Sequence, residues 1–138
     1  MVLFNEIEMK FFLIILFGFV AASAEAKETI RINLVNQRLD LYQDNKMIFS
    51  TPISTGRKRM ATPQGRFVID LKKTVIPDPA YHMTLPYFMR LSVNPPFGIH
   101  YAHDPGYPAS HGCVRIGSMK SAITLYNLTP TGTPVTIL

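Results

Sequence analysis

From Thr29 onward, apolar runs of strand length are cut again and again by turn chemistry, and this punctuation leaves little room for helix. Thr29 to Val35, Arg38 to Tyr42 and Lys46 to Ser54 read as three strands of a meander, separated by turns near Asn36 and Gln37 and at Asp44 and Asn45. Leu39 and Leu41 alternate with Arg38 and Asp40, the period-two pattern of a half-buried strand. Residues 55–65 form a polar, basic loop, and Arg66 to Thr74 reads as one further strand. Prolines at 77, 79 and 86 are expected to keep the next segment irregular; Tyr87 to Val93 reads as a strand that Pro95 and Pro96 end. Gly98 to Ala102 is a short strand, and Val135 to Leu138 closes the chain as another. Ser118 to Asn127 reads as a helix, with Ser118 as N-cap and Met119, Ala122, Ile123 and Tyr126 on one face. The 11 prolines, the short strands and the single late helix point to a mainly β sandwich or barrel-like domain.

The 138 residues suffice for one such domain, expected over 27–138, with a core that needs no disulfide. Residues 1–26 differ in kind. Phe11 to Ala22 is an almost unbroken apolar run of 12 residues, preceded by Lys10 and followed by small residues, the layout of a secretory signal peptide. A bilayer-spanning helix needs roughly 18 to 20 such residues, so cleavage is expected over an uncleaved membrane anchor. The A-x-A matches put the mature start at Glu25 or Lys27, and Met9 opens a better signal than Met1 because Glu6 and Glu8 do not suit the basic n-region. Export would place the domain in the periplasm. Cleavage leaves 13 basic and 6 acidic side chains, a net +7, suited to the polyanions of an envelope rather than to nucleic acid. Arg57, Lys58 and Arg59 cluster, as a solvated loop or as an anion-steering patch.

Three of the four histidines and the lone cysteine fall between His100 and Cys113. An adjacent imidazole can take the proton of a thiol and hold the thiolate as an ion pair, which makes Cys113 a candidate nucleophile and His100 its candidate base. Gly112 removes a side chain just before the thiol, so that its N–H and that of Cys113 are candidates for an oxyanion hole. A competing reading takes His100, His103, His111 and Cys113 as a zinc site, although the spacing of His103 fits no standard ligand pair. His82 reads as a surface residue, and Tyr81, Tyr87, Phe88 and Met89 as either the wall of a peptide groove or core.

Ser110-His111-Gly112-Cys113, downstream of His100, resembles the signature of the L,D-transpeptidase catalytic domain, the YkuD family. Ser54-Thr55-Gly56, Thr62-Pro63-x-Gly65-x-Phe67 and Pro86-Tyr87-Phe88-Met89-Arg90-Leu91 are similar to its other motifs, and the resemblance extends over roughly residues 29–138. It implies a mainly β fold and a reaction on peptidoglycan stem tetrapeptides without a cofactor. A cysteine attacks the diaminopimelate carbonyl, terminal D-alanine leaves, and the acyl group passes to an amine of a second stem, to a lipoprotein lysine or to water. By this resemblance Cys113 is the nucleophile, His100 the base, the Tyr101 carbonyl the group that orients His100, and His111 a residue that shapes the turn and polarises the oxyanion. Carbapenems are implied as covalent inhibitors. The loop from His100 to Ser110 is shorter than in many members, and Arg115 replaces the usual asparagine, either clamping a substrate carboxylate or anchoring the turn to backbone. A non-catalytic wall-binding module is the remaining alternative, and the intact His-Gly-Cys core counts against it.

Overall fold

The computed structural model describes Gly18 and residues 21–138. The expected signal segment and the start at Met9 lie outside the described residues, apart from Gly18 and residues 21–26. Among the described residues no helix is long and apolar enough to cross a membrane. The elements in chain order are β1 (Glu28–Asn33), β2 (Arg38–Gln43), β3 (Lys46–Pro52), a 3-10 turn (Lys58–Met60), β4 (Gly65–Val68), β5 (Leu71–Asp78), β6 (Met83–Val93), β7 (Pro96–Tyr101), β8 (Val114–Ile116), α1 (Met119–Leu128) and β9 (Pro134–Ile137). The fold is mainly β, as expected.

The meander forms as read: β1 pairs antiparallel with β2, with Ile30 opposite Leu41 and Ile32 opposite Leu39, and β2 with β3. Asp44 and Asn45 take the positive φ values (+50° and +66°) that a two-residue hairpin turn needs and that Asn and Asp tolerate. β9 inserts parallel to β1 and antiparallel to β4, completing a five-stranded sheet in the order β3-β2-β1-β9-β4. The second sheet has the order β5-β6-β7-β8, and the two sheets enclose one core in which Ile32, Leu41, Met89, Ile99, Ile116 and Leu125 are fully buried.

Three expectations need correction. Arg66 to Thr74 is two strands in different sheets: Ile69 N–H donates to Thr133 O (3.0 Å) and Asp70 N–H to Arg90 O (3.1 Å), so the chain crosses between sheets at these two residues. Of the segment expected to be irregular only the turn at 79–82, with Pro79, is so, because Pro77 lies in β5 and Pro86 in β6. β5 is an edge strand, and β7 pairs with β6 only from Met89 onward, so each proline sits where one ladder partner suffices. In α1, Ser118 caps as expected, its Oγ accepting from Ser121 N–H at 3.2 Å, but the buried face is Ala122 and Leu125 with Met119 exposed.

β8 was not foreseen at all. It runs parallel to β7 with His100 opposite Arg115, which brings the end of one sequence motif beside the end of another.

Candidate active site

β7 carries His100 to the cavity, and the loop after it returns the chain so that Cys113 immediately precedes the parallel strand β8. Both residues line one cavity of about 520 Å³, together with His111, Ser110 and Arg115 from the return and with Tyr81, Phe88 and Arg90 from the β5–β6 hairpin. His103 is exposed and is not part of this lining, and no three His, Cys, Asp or Glu side chains among the described residues are grouped to hold a metal.

His100 is only 3% exposed, and its Nδ1 lies 2.9 Å from the carbonyl oxygen of Tyr101. A carbonyl only accepts, so Nδ1 carries the hydrogen and Nε2 is left as the basic nitrogen. Burial pushes the His100 pKa below its ordinary value, opposed by the bond to Tyr101; the positive charge of Arg115 lowers it further and Asp78 raises it. Burial pushes the Cys113 thiol upward, the backbone of Gly98 pulls it back, and Asp78 and Arg115 act in opposite senses. Both directions run against a preformed thiolate–imidazolium pair.

The turn before the thiol is held from three directions. Gly112 has φ of +130°, while a Cβ there would meet nothing nearer than Met60 O at 3.8 Å; the glycine is needed for its backbone conformation and not for room. Ser110, 1% exposed, donates from Oγ to Cys113 O at 2.5 Å and accepts Gly112 N–H at 3.1 Å, which commits one of the two expected oxyanion donors to an internal partner. Thr62 Oγ1 donates to Gly112 O (2.8 Å) and accepts Gly56 N–H (2.9 Å), tying the basic loop to the same turn. Thr55 O accepts both Ala109 N–H and Ser110 N–H, and Ser54 exchanges two backbone bonds with Arg115 at 2.8 and 2.9 Å.

Arg57 was read as part of a solvated or anion-steering cluster, but its side chain reaches Ala109 O (3.0 Å), Ser110 O (3.3 Å) and His111 Nε2 (3.2 Å). Tyr81 stacks on the His111 ring with centroids 3.9 Å apart and planes 8° from parallel. The two readings offered for the aromatic run divide: Tyr81 and Phe88 line the cavity, Met89 is core, and Tyr87 packs edge-on against Tyr126. His82 is exposed as read. The guanidinium of Arg115 makes no hydrogen bond among the described residues, whereas that of Arg90 is paired with Asp70 at 2.8 Å. Arg115 and Asp78 are thus the charged lining groups without an ion-pair partner among the described residues. No local sequence pattern announced the contact of Arg57 with the nucleophile turn, or a place for Asp78 in the cavity; Thr62 stands in a family motif with no role attached.

The profile of the L,D-transpeptidase catalytic domain, YkuD, matches residues 27–137. The YkuD protein of Bacillus licheniformis is 31% identical over 111 residues, covering 78% of this chain and 64% of that protein, so the chain spans somewhat less than two-thirds of its relative's length. A crystal structure of an L,D-transpeptidase from Stackebrandtia nassauensis superposes with a TM-score of 0.73 at 28% identity, over 83% of this chain and 57% of that one. L,D-transpeptidase 3 from Mycobacterium tuberculosis, in complex with a faropenem-derived adduct, superposes with a TM-score of 0.72 at 21% identity, over 81% of this chain and 60% of that one, and shows the shared fold.

Proposed function

Since this chain belongs to the YkuD family of L,D-transpeptidase catalytic domains, we propose that Cys113 is its nucleophile and His100 its general base, acting on the tetrapeptide stems of peptidoglycan. The observation that carries the reading is the pairing of one thiol with one imidazole in a single cavity, the imidazole already held by Tyr101 O with Nε2 as its basic nitrogen. With both groups neutral at rest, the proton moves from Sγ to Nε2 as sulfur attacks the diaminopimelate carbonyl. The resulting oxyanion takes the N–H of Cys113, the turn's donor not committed to Ser110, with His111 at its side. His100 then returns the proton to the departing D-alanine amine, leaving a thioester on Cys113. An amine of a second stem, a lipoprotein lysine or water takes the acyl group, His100 again removing the proton; transfer to water is the carboxypeptidase outcome.

The guanidinium of Arg115, unpaired among the described residues, favours the clamp over the turn anchor: it fits a substrate carboxylate, and Asp78 in the same cavity fits an ammonium group. A diaminopimelate carries both. Carbapenems, on this reading, open on the same sulfur. We further propose that the segment ending at Ala24 or Ala26 is removed on export, leaving the domain in the periplasm; N-terminal sequencing of the exported protein should begin at Glu25 or Lys27, and retention of Phe11 to Ala22 would refute this.

Intact mass spectrometry after incubation with a tetrapeptide muropeptide tests nucleophile and substrate together. The expected product is the protein plus the acyl part of the stem without D-alanine, mapped to Cys113, and no adduct on Cys113→Ala. An adduct that persists on the alanine variant overturns the assignment, as does an adduct that retains D-alanine.

A further inference from the structure

Just upstream of Gly112 and the nucleophile, three consecutive residues are bound by one side chain and its own backbone. Arg57 N–H donates to Ser110 O at 3.0 Å, Nε to the same oxygen at 3.3 Å and Nη2 to Ala109 O at 3.0 Å, and Nη2 also faces His111 Nε2 at 3.2 Å. A guanidinium has donors only and does not give up its charge, so the nitrogen that faces it must be the bare one. The other nitrogen, Nδ1, then carries the hydrogen. In free neutral histidine either nitrogen can carry it, so the choice here is made by the partner.

We infer that Arg57 is a positioning residue that holds His111 neutral in its Nδ1–H tautomer, so that the ring offers the cavity a fixed hydrogen-bond donor beside Cys113. The inference rests on the catalytic reading above for its consequence, but not for its geometry. Protonating His111 would set an N–H against the N–H groups of Arg57 and one cation against another. Of the charged groups around the ring, after the effect of burial, Arg57 and Arg115 disfavour the charged form and outweigh Asp78, which favours it. Tyr81, stacked on the face, restrains rotation that would swap the two nitrogens.

The experiment is 15N NMR of the His111 ring in the mature protein, in wild type, Arg57→Ala, Arg57→Lys and Arg57→Gln, each in a Cys113→Ala background so that the readout does not depend on turnover. In wild type, Nδ1 should appear protonated and Nε2 bare, with ring protonation only below the ordinary 6.5. Arg57→Ala should populate the Nε2–H form and raise the midpoint, whereas Arg57→Lys, which still donates and stays charged, should keep the wild-type tautomer. Arg57→Gln should keep the tautomer through its amide N–H but let the midpoint rise. With Cys113 present, acylation by a carbapenem should fall roughly ten- to a hundredfold in Arg57→Ala, by analogy with the loss of a hydrogen-bond partner behind a metal-bound imidazole, with partial rescue in Arg57→Lys. A wild-type ring protonated at Nε2, or a tautomer and midpoint unchanged in Arg57→Ala, would overturn the inference even if acylation fell. Unreactive wild type with the expected tautomer shift would overturn the catalytic reading alone.

Discussion

In the five-stranded sheet, β1 and β2 place Ile30, Ile32, Leu39 and Leu41 at strict period two, and each is no more than 1% exposed. The long strand β6 of the other sheet follows no such rule. Met83 and Leu85 line the cavity, then the parity changes and Phe88, Arg90 and Ser92 line it while Met89 and Leu91 enter the core; Tyr87, between the two sets, has φ of +52°. One sheet uses a single face, and its sequence says so. The other divides its side chains between core and cavity, and a regular alternation could not serve both. The difference teaches where chemistry and support reside: the first sheet can be damaged without touching the cavity, and the second can lose its chemistry without losing the core.

The largest effect is expected where the cavity is struck. His100→Ala should slow acylation by roughly a hundred- to ten-thousandfold, the range for removing a general base, while the variant remains folded with native far-UV circular dichroism. His103→Ala, altering an exposed side chain outside the cavity, should acylate at the native rate. If His103→Ala abolishes acylation and His100→Ala does not, the base has been assigned to the wrong strand end. Leu41→Ala strikes the other sheet. It should cost about 2–5 kcal/mol of stability, read from denaturant unfolding, with kcat per folded molecule unchanged. A Leu41→Ala protein that is stable but slow would erase the distinction between the two sheets.

What was legible beforehand follows the same division. Hairpins with local turns and alternating leucines declared β1, β2 and β3, and Ser118 declared the helix, because these depend on neighbours in sequence. The change of sheet at Ile69–Asp70 left no mark, since a strand crossing between sheets keeps its apolar period. β8 has three residues and a parallel partner, too short for any periodicity to register. In the site, Cys113, His100 and the turn glycine were readable from residue type and crowding. Arg57 was not: it lies 54 positions from His111, and only the folded chain brings the two together.

Thr62 joins the legible motif to the illegible geometry, and replacing it sharpens the comparison because it carries no reacting atom. Thr62→Val keeps the shape but leaves Gly112 O and Gly56 N–H without their partner in a buried site. The expected cost is about 1–3 kcal/mol of stability together with slower acylation, since the lost bond is to the residue preceding Cys113. Loss of stability at native acylation rate would mean that the nucleophile turn holds its geometry without the basic loop.

The smallest effect concerns the point where support and chemistry meet, the burial of His100. Its folded pKa lies below the ordinary 6.5, so between the two values the unfolded chain binds a proton that the folded chain refuses. Stability from this group is therefore complete above 6.5 and is lost as pH falls through the folded pKa, with a slope that one proton limits to about 1.4 kcal/mol per pH unit. His111, also lowered, acts in the same direction, so His100→Ala should flatten the acid side of the stability profile without abolishing its slope. The thiol works at the other end: because burial raises the Cys113 pKa, its contribution is complete below the ordinary 9.0 and is lost as pH rises through the folded value. Cys113→Ala should therefore leave the acid side untouched and flatten only the alkaline one. Urea midpoints from pH 4 to 10 for the two variants and wild type would separate these contributions. An acid slope equal in His100→Ala and wild type would mean that the buried imidazole titrates as it does in water, and the neutral resting couple on which the proton transfer depends would have to be given up.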